Sequence, residues 1–457
     1  MPFAQVAPVF RAALLLGACG GFALACILTV SSMLNLPLGL WWIAMAQAHG
    51  DLQLFGWAGL FVVGVSLHFL PRLRGTPLAA TWPIRWLIAF QVCALILRAV
   101  AQPLLTLNNI LLWHGALIVS GILEFIALGG IVALLVLTFL RGPALDKRPA
   151  FLATLPFIAC AYSSLFLAAL VNLINLCVTT GLVPATGDLL CVTLGLFGFL
   201  VPMALGMSAR SLPMYAGLEA FPPRQLFTLA FSYIAGLLLL CVGILGSWWV
   251  LENLGNLLIG VVVICFVGLF LRSMRSRGKL PAKVKKLAPA PEERSRAYGA
   301  RITRERQSYG PFVALVASSY LWLLLGGFLL TIDGLSGLFG LGTPIVVDAI
   351  RHTFTIGFIS LLICGIAPRM LPGFAGGTIR SGRLVSATLW LGNLAALFRV
   401  GSLLFAPWLT LGTFDLGQII FGCSGILGLA LAICLACNIW PALRPTKNQR
   451  AVQAAKL

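Results

Sequence analysis

The chain has 457 residues, of which 60% are hydrophobic and only 9% are charged. A soluble protein of this length could not bury that much apolar surface, so the composition excludes an ordinary soluble enzyme and indicates a polytopic membrane protein. The formal net charge of +19 could suit a nucleic-acid partner. However, many of the basic residues lie in one segment, 272–308, between two apolar runs, which is typical of a cytoplasmic loop that faces anionic lipid. We therefore expect contact with membrane lipid and no binding of nucleic acid.

Apolar runs of spanning length recur along the whole chain. They predict an all-α protein with a single membrane domain over residues 1–457 and twelve transmembrane helices, which we call spans 1 to 12. The first run continues as a span without a small-residue cleavage site, so no removable signal peptide is expected. The predicted spans are 10–33, 51–71, 84–102, 108–140, 151–178, 187–208, 225–246, 248–271, 311–332, 346–369, 385–404 and 414–440.

Lysine and arginine are unevenly distributed between the predicted loops. Basic residues follow the even-numbered spans, whereas the other loops contain almost no lysine. Because positively charged loops remain on the cytoplasmic side, both termini are predicted to be cytoplasmic.

This orientation gives each buried polar residue a depth in the membrane. Three of the four histidines are predicted near the periplasmic side: His49, His114 and His352. Three arginines are predicted near the same level: Arg98, Arg351 and Arg399. Arginine is disfavoured on this side of the membrane, so we expect an anionic partner for these side chains.

Spans 2, 6 and 10 share a residue spacing that indicates an internal repeat. Each has a glycine, a second glycine eight residues later, a basic residue four residues further, and then Leu-Pro after one intervening residue. The spans are four apart, which predicts three pseudo-symmetric units of four helices. The basic position is His68, Arg210 or Arg369. Since arginine fills this position twice, His68 is expected to be a basic side chain that reaches the membrane surface, rather than a metal ligand.

The outer histidines are candidate metal ligands, because imidazole is a common ligand of iron, copper and zinc and ionisable residues are costly inside a membrane. His49 and Gly56 are seven residues apart, so in an α-helix they share a face that could hold a flat ligand. With His352, His49 could supply the two axial ligands of a haem, and the three outer arginines would neutralise its propionates. The alternative for each histidine is a packed side chain bonded to a backbone carbonyl. For His114, copper or a second haem is the candidate ligand.

Glu124 is the carboxylate predicted deepest inside a span, roughly 15 Å further toward the cytoplasm than His114. It is a candidate proton relay, or else a buried protonated acid with a structural role. A path through His114 and Glu124 would define an alternative function, that of a secondary transporter of protons or metal ions, although transporters usually contain inverted repeats. In a third interpretation the protein is an assembly or scaffold subunit, and the histidines are structural.

Two stretches resemble the signature sequences of the NnrS family, namely AHGDLQLFGWAGLFVVG in span 2 and RHTFTIGFISLLICGIAPRMLPG in span 10. The family motifs correspond here to His49 with Phe55-Gly56, and to His352 with Thr355 and Gly357. The resemblance implies a bacterial inner-membrane protein that contains haem and copper and takes part in the response to nitric oxide. Together with the histidine positions, it predicts a b-type haem near the periplasmic face, a small gas as ligand and an electron donor as partner. The residues LPGFAGG after the span 10 arginine lack the histidine that family members carry, which favours haem over copper.

The architecture is also similar to that of the haem-copper oxidase catalytic subunit, with twelve spans in three arcs and haem ligands on the second and tenth spans. The adjacent histidine pair and the His-x-x-x-Tyr motif of the oxidase are absent here. We therefore expect no dinuclear centre that reduces oxygen or nitric oxide, and the sequence leaves open whether the protein is an enzyme.

Overall fold

The computed structural model describes residues 3–107, 110–145, 149–216, 221–275, 291–342, 345–375, 377–411 and 414–444. Within these ranges, twelve helices are long and apolar enough to cross a membrane, which confirms a helical multi-pass architecture with only one pair of two-residue strands among the described residues. Spans 1 to 12 are Ala7–Met33, Leu40–Arg74, Pro83–Leu105, Leu111–Leu140, Leu155–Val178, Ala185–Pro213, Pro223–Gly246, Trp249–Met274, Phe312–Leu338, Val347–Phe374, Gly382–Leu404 and Leu416–Leu443.

Span 2 differs most from its predicted bounds, since it begins at Leu40 rather than at residue 51. The α-helix Leu40–Asp51 continues directly into the apolar part of the span. His49 therefore lies well inside a long helix and not at its outer start. The prediction ended the span at the polar residues around His49, whereas in the structure these residues find polar partners on neighbouring helices.

Four spans of the described structure contain a π-helical segment. The segments are Leu16–Gly21, Leu52–Ala58, Leu194–Leu200 and Thr353–Ser360. The last three begin four residues before the first glycine of the sequence repeat in spans 2, 6 and 10. A π-turn adds a residue to the helical turn and changes the direction of the side chains that follow, and such turns are frequent at functional sites. The repeated sequence spacing thus coincides with a repeated irregularity of the backbone.

Spans 2, 6 and 10 form the centre of the helix bundle. In their most apolar windows, 78%, 83% and 78% of the residues are buried, against 33–56% in the other nine spans described. Aromatic rings fill the contact between central helices. For example, the rings of Phe197 on span 6 and Phe354 on span 10 meet edge to face, with their centroids 5.0 Å apart. Residues on these three helices are therefore the ones best shielded from lipid.

The Leu-Pro end of span 2 is more enclosed than the sequence indicated. His68 is only 4% exposed, and its ring stacks on Phe374 with the centroids 3.7 Å apart. Phe3 and Phe69 pack against the same imidazole. The expectation that His68 reaches the membrane surface is therefore wrong, because an aromatic cluster covers it.

A further helix, Pro291–Tyr309, precedes span 9 and includes most of the described part of the basic segment 272–308. Glu305 on this helix accepts a hydrogen bond of 2.8 Å from Arg369 at the end of span 10. Residues 276–290 of the basic segment lie outside the described residues. The remaining short elements are the helices Phe3–Gln5, Pro149–Leu152 and Ala406–Trp408, the final helical turn Trp440–Leu443, and the paired strands Thr410–Leu411 and Phe414–Asp415.

Candidate functional site

A cavity of about 560 Å³ lies between spans 1, 2, 6, 10, 11 and 12. Its volume falls in the usual range for small-molecule and cofactor sites, roughly 300–1,000 Å³. The π-helical segments of spans 2, 6 and 10 all contribute residues to its wall, including Gln53, Leu196 and Thr355. His49 and His352 both line this cavity. The structure thus brings together the two histidines that the sequence analysis paired.

The His49 ring is oriented by span 1. Its Nδ1 lies 2.8 Å from the backbone oxygen of Gly21, the last residue of a π-helical segment. A side chain on Gly21 would collide with Gln53, since a Cβ there would lie 2.8 Å from Gln53 Cδ. The absence of that side chain lets spans 1 and 2 approach closely enough for the hydrogen bond. Because a carbonyl oxygen can only accept, Nδ1 must carry the hydrogen, and Nε2 of the neutral ring keeps its lone pair.

The His352 ring is oriented within its own helix. Its Nδ1 lies 2.9 Å from the backbone oxygen of Asp348 and 3.0 Å from the Oδ1 atom of the same residue. Both of these oxygens are acceptors, so Nδ1 again donates. Neither His49 nor His352 uses Nε2 in a hydrogen bond within the described part of the chain. Histidines that ligate metals usually donate their other ring nitrogen to a carbonyl or a carboxylate, and both rings show this arrangement.

Arg399 supplies buried positive charge to the same cavity. Its Nη2 donates to Asp348 Oδ2 at 2.7 Å, and its guanidinium carbon lies 4.1 Å from the centroid of the Phe421 ring. Its Nε and Nη1 atoms are buried without a hydrogen-bond partner among the described residues. Arg351 lines the cavity as well. Unsatisfied buried guanidinium donors are costly, and their presence beside a cavity fits an anionic group such as a carboxylate.

Arg98 has its own partners away from the cavity. Its Nη2 lies 2.9 Å from Asp51 Oδ2, and its Nη1 donates to Asn172 Oδ1 at 2.8 Å. Its Nε donates to Gln102, which in turn donates to Gln47 on the cavity wall. The expectation that Arg98 contacts a haem propionate therefore does not hold for this structure, because Asp51 already neutralises the guanidinium.

Gly56 also lies away from the cavity, and faces the packing contacts of spans 1 and 3. A Cβ added to Gly56 would lie 3.1 Å from Leu95 Cδ1 and 3.5 Å from Leu16 Cβ. Residues seven apart share a face in a continuous α-helix, but the π-helical segment Leu52–Ala58 intervenes after His49 and changes the direction of Gly56. This glycine permits close helix packing in the structure and does not provide a surface for a ligand.

His114 and Glu124 lie outside the cavity. The His114 side chain is half-buried, whereas Glu124 is 2% exposed and accepts hydrogen bonds from Gln91 and Asn172. The transporter alternative requires a polar cavity that runs from His114 toward Glu124, and the cavity described above contains neither residue. No group of three or more histidine, cysteine, aspartate or glutamate side chains that could hold a metal occurs among the described residues.

The sequence analysis missed the acceptors that orient the two histidines. Asp348 precedes His352 by four residues, so the two share a helix face, and this spacing could have identified the pair. Nothing in the sequence marks the backbone oxygen of Gly21, because its position depends on how spans 1 and 2 pack.

Comparison with solved structures defines the class of the fold. A haem-copper terminal oxidase dimer solved by cryo-EM matches with a TM-score of 0.65 over 96% of this chain and 84% of that chain, at 11% sequence identity. At this identity the match establishes the fold, and it confirms the likeness to the haem-copper oxidase architecture.

A second comparison concerns the sequence family. The family model described as NnrS protein matches residues 298–446, which include His352 and Arg399. The resemblance to the NnrS family is thus confirmed over this C-terminal third of the chain. No curated protein matches the chain.

Proposed function

We propose that the cavity binds a b-type haem, which His49 and His352 would hold through their Nε2 atoms. The observation that carries this proposal is that both imidazoles line one cavity, each with Nδ1 held by a carbonyl oxygen. Arg399, with two unpartnered nitrogen atoms, and Arg351 would hold the propionates. The fold of a haem-copper oxidase and the match to the NnrS family support a haem- or metal-binding role.

The protein's own residues would prepare the site before any ligand binds. Gly21 and Asp348 fix the ring orientation of the two histidines, and Trp57 Nε1 donates to Ser360 Oγ at 3.3 Å, which joins spans 2 and 10 beside the cavity. A bound haem would supply a one-electron redox centre, and with both histidines as ligands its iron could bind a small gas only if one of them dissociated. The proposal concerns haem only.

We propose further that the protein acts in the bacterial cytoplasmic membrane, in the response to nitric oxide, by binding the gas or by passing electrons from a donor. The NnrS match supports this role. We place both termini in the cytoplasm because the basic loops follow the even-numbered spans. We also propose a threefold arrangement of four-helix units, which the π-helical segments of spans 2, 6 and 10 support. The cavity would then open near the periplasmic side.

Exposure to nitric oxide tests the gas-binding part of this proposal. The absorption spectrum of the reduced, purified protein is expected to change in proportion to added nitric oxide, and the spectrum should return when the gas is removed. A haem-containing protein whose reduced spectrum does not respond to nitric oxide would leave electron transfer as the function and exclude direct gas binding.

Asp348 is expected to tune the bound haem through His352. In Asp348→Asn the imidazole loses a negatively charged acceptor and Arg399 loses its ion-pair partner, so the oxidised iron is stabilised less. We expect a higher midpoint potential and a haem affinity lower by about 10–100-fold, as for other residues that orient a metal ligand. Potentiometric titration followed by absorbance measures the potential. The matched control is Asp415→Asn, which alters a helix N-cap away from the cavity; an equal potential in both variants would contradict the role of Asp348.

A further inference from the structure

A second hollow, which we call the vestibule, lies beside the cavity. It has a volume of about 380 Å³ and is formed where span 1 ends and where spans 2 and 12 begin. Its wall includes the polar residues Ser32, Asn35 and Gln418. Asn35 and Gly39, on the connection between spans 1 and 2, are exposed, so the vestibule opens at the surface of the helix bundle. The predicted orientation places this end of the spans on the periplasmic side.

Trp42 belongs to the walls of both the vestibule and the cavity. It lies on the regular α-helix Leu40–Asp51, where Trp42, Ala46 and His49 follow one another at the helical spacing of four and then three residues. All three residues line the cavity, so they share one face of the helix. Trp42 therefore lies about 10 Å along the helix axis from His49. Between them, this face carries only the small side chain of Ala46.

The backbone around the vestibule is held by hydrogen bonds. Gln418 on span 12 donates from its Nε2 atom to the backbone oxygen of Ser32 at 3.0 Å and to Asn35 Oδ1 at 2.7 Å. The backbone N–H of Trp42 donates to the backbone oxygen of Gly39 at 3.2 Å. The connection between spans 1 and 2 is thus tied to both span 2 and span 12. A passage between the two hollows therefore depends on a side chain and not on movement of this connection.

The indole ring of Trp42 lacks the polar anchor that other tryptophans in the bundle have. Trp57 and Trp322 donate from their indole nitrogens to Ser360 and Asn393. No described residue accepts such a bond from Trp42, which is 36% exposed. Its ring can therefore change rotamer without breaking a hydrogen bond. Such a rotation would join the vestibule to the cavity.

We propose that Trp42 is a gate for small neutral molecules that pass between the vestibule and the cavity. The proposal rests on the proposed function in one respect, because it takes this cavity as the place where a ligand is received. A competing route exists, since Ile43, Ala185 and Val347 also line the cavity and are exposed. Entry beside these residues would not depend on the indole ring.

Labelling of an introduced cysteine by N-methylmaleimide, a small neutral thiol reagent, measures this passage in the full-length protein in detergent. Ser424→Cys places the thiol on the cavity wall, at a position that is only 4% exposed. Adding Trp42→Ala is expected to raise the labelling rate by up to about tenfold, the change that loss of the contacts of one aromatic ring can give. Trp42→Phe, which keeps a smaller ring, should give an intermediate rate. Mass spectrometry of the peptide distinguishes this thiol from the native cysteines.

Trp41→Ala is the matched control, because Trp41 is the neighbouring tryptophan on the same helix and lines neither hollow. It should leave the labelling rate unchanged. The native Cys177, which is exposed near the end of span 5, is the internal reference, and its rate should be the same in all variants. Thr355→Cys provides a second thiol on the cavity wall if Ser424→Cys does not fold.

Equal labelling of Ser424→Cys with and without Trp42→Ala would overturn the gate and favour entry beside Ile43, Ala185 and Val347. A labelling rate that changes only in step with the haem content of the same samples would also overturn it. A protein without haem in which Trp42→Ala still raises the rate would support the gate and contradict the proposed haem site. Failure of the gate is therefore distinguishable from failure of the proposed function.

Discussion

Replacing either His49 or His352 by alanine is expected to abolish the absorption spectrum of a haem with two histidine ligands. Each substitution removes one Nε2 atom from the cavity and leaves the other imidazole in place. We expect haem affinity to fall by more than about 10–100-fold, the loss that follows when only a ligand's hydrogen-bond partner is removed. Absorbance of the oxidised and reduced variants, and haem content per folded protein, measure the effect.

The matched control for this prediction is His114→Ala. His114 is half-buried, and it does not line the cavity in the described structure. Its replacement should leave the spectrum and the haem content at the wild-type level. If His114→Ala removed the haem while His49→Ala retained it, the assignment of the axial ligands would be wrong.

Arg98→Leu is expected to give the largest loss of stability among substitutions outside the cavity. The change leaves Asp51 and Glu124 buried without their shared cation and also removes the donor to Asn172. Breaking a buried ion pair by removing one partner typically costs about 3–5 kcal/mol. Thermal unfolding in detergent, followed by the recovery of monodisperse protein after heating, should show a large decrease in stability.

The double variant Arg98→Leu/Asp51→Asn separates the charge effect from the loss of packing. Removing both charges should recover a substantial part of the stability, because no unpaired carboxylate of Asp51 remains. Arg380→Gln, on an exposed arginine, should behave as the wild type. Equal instability of the single and double variants would indicate that Arg98 acts through packing and not through its charge.

The twelve spans were predictable because hydropathy and length report directly on transmembrane helices. The residue spacing shared by spans 2, 6 and 10 was also visible in the sequence, but it did not predict that these helices are the most buried of the described spans. The start of span 2 was not predictable in the same way. Polar residues such as Gln47 and His49 ended the apolar run, yet in the bundle they bond to backbone oxygens of other helices.

The candidate site was predictable in part. Depth and span number suggested that His49 and His352 could act together, and both residues line one cavity, although the repeat places them two residues out of register. The helical face of Gly56 was not predictable, because π-helical turns change the direction of the residues that follow them and have no simple signature in the sequence. Likewise, the pairing of Arg98 with Asp51 depends on the distance between spans 2 and 3, which hydropathy does not encode.

A pyridine haemochrome assay on the purified wild-type protein tests the central claim most directly. The account predicts that haem b co-purifies with the folded chain in a fixed ratio, and that the reduced-minus-oxidised spectrum is of the b type. A well-folded, monodisperse protein that contains no haem, and that takes none up when haem is added, would contradict the account.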